Sequence, residues 1–435
     1  MKLREHGVRA ASTFGAAAIA AALTAAPVLA VPAPSTPPSG GSSTTTTPPF
    51  TTPNTDNCAQ RTQPPPPIDT SEVPAPGEPT PSALPVPSPA IGGDRMSECG
   101  VVLPAGAPAL PADISATAWM VSDLDTGRVL AAKDPHGRYR PASTIKVALA
   151  VVALRTLDLD TVVTGTQADA DVDGTRVGIG PGGRYTNRQL MQALIMCSGN
   201  DAAHAIAAQL GGDKAAVAKM NDLAKSLRAM DTRAATPSGL DGPGMSTSAY
   251  DLSVLFREAM TIPLFAELLH TEQVDFPGYP ADPKIPGDED HPGFPIANDN
   301  QLLYNYAGAI GGKTGFTDDA RQTFVAAAER DGHRLVVTLL KADVRPIRPW
   351  EQAARLLDYG FALDADARVG KLPESGSAAV QPSVPLASPP PRADGTQVQP
   401  DQPPHQAARV GVLIGAPLLV LVLLLWIRRV YRRGR

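Results

Sequence analysis

Three short stretches of this 435-residue chain carry residue types that do chemistry together. In "PASTIKVALAVVAL", Ser143 precedes Lys146 by three positions inside an otherwise apolar run. Residues three apart share a helix face, so the hydroxyl and the amine would meet. The apolar neighbours Ile145, Val147, Leu149 and Val151 predict a buried helix. Burial disfavours the charge of an ammonium and lowers its pKa, which makes a lysine a base for a neighbouring hydroxyl. Pro141 suits the entry to that helix, whose N-terminus would favour a developing anion. Taken alone, the pair also fits an N-cap serine beside a lysine whose stem reaches out to water.

"CSGND" adds Ser198 and Asn200 where a helical pattern breaks at Gly199. By itself it reads equally as a turn. "GGKTGFT" adds Lys313, Thr314, Gly315 and Phe316 on a glycine-flanked strand, where a substrate backbone could approach the edge. All three motifs in this order form the serine-acylation triplet of penicillin-recognising enzymes, and their joint occurrence is far more specific than any one of them.

The elements that must position these groups are legible as patterns. "TAWMVSDLDTGRVLAAK" predicts two strands around the turn Asp125-Thr126-Gly127. "QTFVAAAERDGHRLVVTLL" predicts a hairpin with the two-residue loop Asp331-Gly332, and "GAIGGKTG" a further strand before it. Between these strand groups the periods are helical. Thr186 and Gln189 form a capping box for "LMQALIMCSGN", and "PWEQAARLLDYGF" is amphipathic, ending near Gly360. Strands at both ends with helices between predict an α+β fold: an antiparallel sheet covered by helices, with a helical subdomain.

The quoted motifs, together with "ATPSGLDGPGMSTSAYDL" and "NDNQLLYNYAGAIGGKTGFT", resemble the D-alanyl-D-alanine carboxypeptidases of the low-molecular-mass penicillin-binding proteins, serine peptidase family S11. The likeness is greatest to membrane-anchored mycobacterial and related actinobacterial members, and runs from about Trp119 to Phe361. It implies that Ser143 is the nucleophile and Lys146 its base. Ser198 would pass a proton to the leaving amine, and Asn200 would orient Lys146 and the substrate amide. Lys313 and Thr314, with Gly315 and Phe316 beside them, would bind substrate, and the N–H groups of Ser143 and Phe316 would form the oxyanion hole. The implied partners are the peptidoglycan stem peptide ending in D-Ala-D-Ala and the β-lactams that mimic it. No cofactor or metal is required. The histidines form no helical His-Glu-x-x-His pattern, and "DEDH" at Asp288 to His291 reads as a solvated loop.

Two alternatives remain open on sequence. A class A-like β-lactamase shares the triplet but drives deacylation with a further glutamate. Glu258, Glu267, Glu272 and Glu289, between the second and third motifs, lie in no Glu-x-x-Leu-Asn setting. A non-catalytic penicillin-binding wall sensor would be favoured by loss of a triplet residue, and none is missing.

The rest of the chain predicts location. Residues 1–30 read as a signal peptide: Lys2, Arg4 and Arg9, then "AAAIAAALTAA", then Val28 and Ala30 at the cleavage spacing. Residues 31–97 are rich in Pro, Thr and Ser and predict disorder. The globular domain is expected over 105–365, followed by a Pro-rich tether over 366–409. Such a tether extends by about 3.1 Å per residue, on the order of 100 Å in all. The uncharged stretch 410–427 has about the length of a spanning helix, with a basic tail at 428–435. Positive charge stays cytoplasmic, which predicts a single-pass cell-membrane protein with its catalytic domain outside. A net charge of −5 argues against nucleic acid as a partner. Export would put Cys58 and Cys99 in an oxidising space, where a disulfide is plausible, while Cys197 reads as a buried apolar residue.

Overall fold

A computed structural model describes residues 50–375. In chain order its strands and helices begin with β1 (Val101–Val102), β2 (Ala118–Asp123) and β3 (Arg128–Lys133). A 3₁₀ turn over Ala142–Ile145 runs straight into α1 (Lys146–Thr156). Then come β4 (Val162–Thr164), α2 (Gln167–Ala170), β5 (Arg184–Thr186), α3 (Asn187–Met196), α4 (Asn200–Gln209), α5 (Asp213–Ser226), α6 (Ala249–Ala259) and α7 (Pro263–His270). The ribbon β6 (Gln273–Phe276) and β7 (Phe294–Ala297) precedes α8 (Gln301–Asn305). Last are β8 (Ala309–Thr317), β9 (Arg321–Arg330), β10 (His333–Ala342), α9 (Pro349–Phe361) and β11 (Gly370–Lys371).

The central sheet runs β1-β3-β2-β10-β9-β8, all neighbours antiparallel, with β11 also on β3. Chain ends that are distant in sequence therefore meet at the β2–β10 seam, where Val121 lies opposite Val337. Side chains alternate across a strand, and both faces are covered. Phe324, Ala326 and Ala328 of β9 pack under Leu356 and Leu357 of α9. Val325 and Ala327 face the larger cluster that holds Leu149 and Val151 of α1 and Leu252 and Phe256 of α6. Burial on both faces explains why β9 and β10 read as continuous apolar runs rather than alternating ones.

The α+β fold with an antiparallel sheet is as expected, including the β2–β3 and β9–β10 hairpins and the Thr186/Gln189 capping box of α3. The domain is larger than 105–365, and the disorder expected over 31–97 does not hold for residues 50–97. That stretch lies along the domain with almost no regular structure. Cys58 is bonded to Cys99 across 41 positions. Buried Arg138 donates to the carbonyls of Thr62 (2.7 Å), Leu84 (2.6 Å) and Pro85 (2.8 Å). Ile91 and Met96 join the large core cluster. Proline-rich chain has less conformational freedom to lose, so a few long-range anchors order a segment whose composition alone predicts the opposite. The tether also begins later than residue 366: Gly370 pairs with Val129, and Leu372 is buried and donates to Gly127 O at 2.7 Å. Residues 1–49 and 376–435, with the expected signal peptide, the remaining tether, the span and the basic tail, lie outside the described residues. Among the described residues no helix is long and apolar enough to cross a membrane.

Candidate active site

The turn that carries Ser143 is built from both sides of the sheet edge. Pro141 enters a 3₁₀ turn in the αR region, and Ala142 takes φ 47°, a left-handed conformation costly for a side chain with a Cβ. The turn is held by Thr323 of β9, whose Oγ1 donates to Pro141 O at 2.7 Å. The edge strand β8 then passes so close that a Cβ at Gly315 would stand 2.9 Å from Ser143 N. Gly239, at φ 88°, approaches from the other side, where a Cβ would also stand 2.9 Å from Ser143 N. Glycine is required at both positions because the backbones themselves are in contact.

Lys146 is the first residue of α1 and only 1% exposed. Its Nζ lies 2.8 Å from Ser143 Oγ, 2.7 Å from Asn200 Oδ1 and 2.6 Å from Ser238 O. Burial, reinforced by the charge of Lys313, holds this amine well below its usual 10.5. The Asn200 amide oxygen and the Ser238 carbonyl can only accept. A neutral amine has two hydrogens and one lone pair. With both hydrogens committed to Asn200 and Ser238, the lone pair is left for the Ser143 hydroxyl.

Asn200 is fixed at the start of α4. Its Nδ2 donates to Asp173 O at 2.7 Å and its backbone N–H to Thr175 O at 2.7 Å. Next to it, Asp201 Oδ2 gathers the N–H groups of Val177, Gly178 and Ile179 at 2.9, 2.8 and 3.0 Å, tying the 173–179 loop to the same helix end. Ser198 sits at the α3–α4 junction with φ 61°, a strained conformation for a non-glycine residue. Cys197 is half-buried rather than buried; its Sγ donates to Ala297 O at 3.2 Å, and burial pushes its thiol up to about 11, which disfavours the thiolate.

On β8, Lys313 is 1% exposed, and burial lowers its pKa. It donates to Thr314 O at 2.9 Å and lies 4.0 Å from Asp299 Oδ2. Thr314 Oγ1 donates to the same Asp299 oxygen at 2.8 Å. Phe316 is 51% exposed at the end of the strand. The structure thus joins Ser143, Lys146 and Asn200 in one hydrogen-bonded cluster and brings Lys313 close enough to influence Lys146. Ser198 is carried two residues from Asn200.

The sequence motifs do not reveal Ser238, Asp299, Asp201 or Thr323. Ser238 acts through its backbone carbonyl, for which residue type carries no signal. Asp201 directly follows the Ser-Gly-Asn motif, and that adjacency is the one available hint. Among the described residues, His136, Asp231 and Asp251 could bring ligand atoms within 4.8 Å of one another. The oxygens of Asp231 already hold His136 Nδ1 at 2.7 Å and Arg138 Nε at 3.2 Å, so this is a charge network rather than a metal centre. In the Asp288–His291 stretch, Asp288 Oδ1 lies 3.4 Å from His291 Nε2, and His291 stacks on Tyr279.

Comparison with known proteins points the same way. The model of the peptidase S11 family, described as D-alanyl-D-alanine carboxypeptidase, matches residues 105–344. The chain is 48% identical over 275 residues to D-alanyl-D-alanine carboxypeptidase DacB2 of Mycobacterium tuberculosis, covering 62% of this chain and 90% of that one. It is 34% identical to DacD of Salmonella typhimurium, over 63% of this chain and 67% of that one. Among solved structures, an evolved putative penicillin-binding protein homolog from Mycobacterium tuberculosis superposes with a TM-score of 0.58 at 46% identity, over 62% of this chain and all of that one. The Streptomyces K15 DD-transpeptidase gives 0.53 at 29% identity, over 59% and all of it. The chain belongs to the peptidase S11 family of D-alanyl-D-alanine carboxypeptidases.

Proposed function

We infer that the protein is a serine D-alanyl-D-alanine carboxypeptidase that removes the last D-alanine from peptidoglycan stem peptides and is acylated by β-lactams at the same serine. The observation that carries this reading is the placement of Lys146 Nζ, 2.8 Å from Ser143 Oγ with acceptors as its other two neighbours. In the first step Lys146 takes the Ser143 proton as Oγ attacks the carbonyl of the penultimate D-alanine. The N–H groups of Ser143 and Phe316 receive the oxyanion, where donors aimed in advance contribute most. Ser198 relays the proton to the departing amine, so D-alanine leaves and an ester to Ser143 remains. Water then hydrolyses that ester, with Lys146 again as base. Lys313 and Thr314 hold the terminal carboxylate.

We further propose that residues 1–30 direct export, that 410–427 spans the cell membrane and that 428–435 stays inside, leaving the enzyme domain outside on its tether. The Cys58–Cys99 bond supports an oxidising compartment. A β-lactamase reading finds no support in the glutamates: Glu258 is buried against Arg155 of α1, and Glu267, Glu272 and Glu289 are exposed. The test uses the full-length protein and a peptide ending in D-Ala-D-Ala, with free D-alanine measured and a β-lactam adduct mapped by mass. Release of D-alanine and an adduct on Ser143, both lost in Ser143→Ala, are expected. An adduct with no D-alanine release would instead favour the sensor.

A further inference from the structure

The strand that carries Lys313 and Thr314 already has a carboxylate on it. Asp299 arrives from the segment between β7 and α8, and its backbone N–H donates to Met196 O, at the end of α3, at 2.9 Å. Its Oδ2 accepts from Thr314 Oγ1 at 2.8 Å and lies 4.0 Å from Lys313 Nζ. These are the two side-chain donors that the proposed function gives to the substrate's terminal carboxylate, and the role of Asp299 rests on that reading. A threonine hydroxyl has one proton and serves one acceptor at a time. Asp299 is the one carboxylate within ion-pair distance of buried Lys313 among the described residues. Its side chain is 36% exposed and so lies at the solvent side of the pair, where a ligand would arrive. A substrate carboxylate must therefore take the Thr314 proton from Asp299 and sit beside a like charge, which disfavours it.

We propose that Asp299 is a specificity-determining residue: its carboxylate accepts the Thr314 proton and places a negative charge 4.0 Å from Lys313, where the substrate's terminal carboxylate would bind, and so narrows the preference for free-acid over neutral-ended donors. Neutralising it removes the like charge from beside the substrate carboxylate, which then becomes the counter-ion of Lys313, even where an asparagine oxygen still accepts from Thr314. The effect belongs in KM for the free acid. It should also shrink as salt rises, because charge at a partly exposed group is screened.

The test compares kcat/KM of the full-length enzyme for a D-Ala-D-Ala peptide as the free acid and as its C-terminal amide. Asp299→Asn should raise the acid-to-amide ratio about tenfold at low salt, chiefly through a lower KM for the acid. Asp299→Glu keeps the charge and should keep a ratio near that of the unaltered enzyme. Asp299→Ser is a second neutral variant should Asp299→Asn not fold. If Asp299 is only a brace for β8, both substrates fall together and the ratio stays put, which overturns the proposal. A fall in the ratio overturns it as well. Thr314→Val separates the underlying assignment: a ratio unchanged by that substitution shows that the carboxylate is bound elsewhere, whatever Asp299 does.

Discussion

The buried charges around His136 and those around Lys146 are wired oppositely. Around His136, every cation has an anionic or carbonyl partner. His136 places Nδ1 at 2.7 Å from Asp231 and Nε2 at 3.0 Å from Ile91 O, so both ring nitrogens face acceptors, which favours the cation against the cost of burial. Arg138 pairs with the other oxygen of Asp231 and donates to three carbonyls of the 50–97 segment. Around Lys146 no carboxylate among the described residues is in direct contact, and the charge that acts on it most is another cation, Lys313, with Asp299 and Asp201 opposing it more weakly. A buried charge with full partners clamps one piece of chain to another. A buried amine denied an anion gives up its proton and becomes a reagent. The first cluster holds the 50–97 segment to the domain, and the second is the one we propose makes Ser143 reactive.

The largest effect that sharpens this contrast is on chemistry. Lys146→Ala should slow β-lactam acylation of Ser143 by about 10²- to 10⁴-fold, as loss of a general base does, with little change in the melting temperature. Stopped-flow labelling and a thermal melt check both halves. The mirror experiment is Arg138→Ala. It strands Asp231 beside His136 and frees three carbonyls, and should cost about 3–5 kcal/mol of stability, read from denaturant unfolding, with early proteolytic cutting within residues 50–97. A large stability loss in Lys146→Ala, or none in Arg138→Ala, would erase the distinction.

A smaller effect is pH dependence. Asp231 raises the pKa of His136 above its ordinary 6.5 against the opposing effect of burial. Burial, together with the charge of Asp231, pushes Asp251 up to about 8. Both groups favour their protonated forms in the folded state. A raised histidine contributes stability that is complete below its unfolded pKa and is lost as pH climbs through the folded value. The buried Asp251 loses stability in the same direction, between about 4 and its folded value near 8. The melting temperature should therefore fall from slightly acid to mildly alkaline pH, and His136→Gln should flatten the slope above pH 6.5. The smallest effect is expected at the exposed Arg321–Asp343 pair, at 2.8 Å. Arg321→Ala should change stability by no more than about 0.5 kcal/mol, because water and salt screen such pairs.

The catalytic half of this contrast was largely legible in the sequence, and the structural half was not. Ser143 and Lys146 are three apart in a helical run, so their contact follows from local geometry. The Lys313–Phe316 strand was legible because glycines flank it beside a clear hairpin. The Cys58–Cys99 bond was plausible from the cysteines alone, but the rest of the clamp escaped because its parts are far apart in sequence: Arg138 meets residues 62, 84 and 85. Composition over 31–97 speaks only of what the segment can bury by itself, not of what a distant arginine offers it. β11 is two residues long, too short for any periodicity to show. Within the site, Ser238 acts through a carbonyl and Asp299 through a fold-dependent approach to β8, and neither leaves a spacing to read.

The central claim is that Lys146 is a neutral base in the resting enzyme. An NMR titration of its side-chain Nζ in the full-length protein, assigned by difference with Lys146→Ala, tests it directly. A neutral base requires a midpoint well below 10.5, with the amine uncharged where the enzyme acylates fastest. A midpoint at or above 10.5 would show a lysine charged throughout that range, and the proton on Ser143 would need another acceptor.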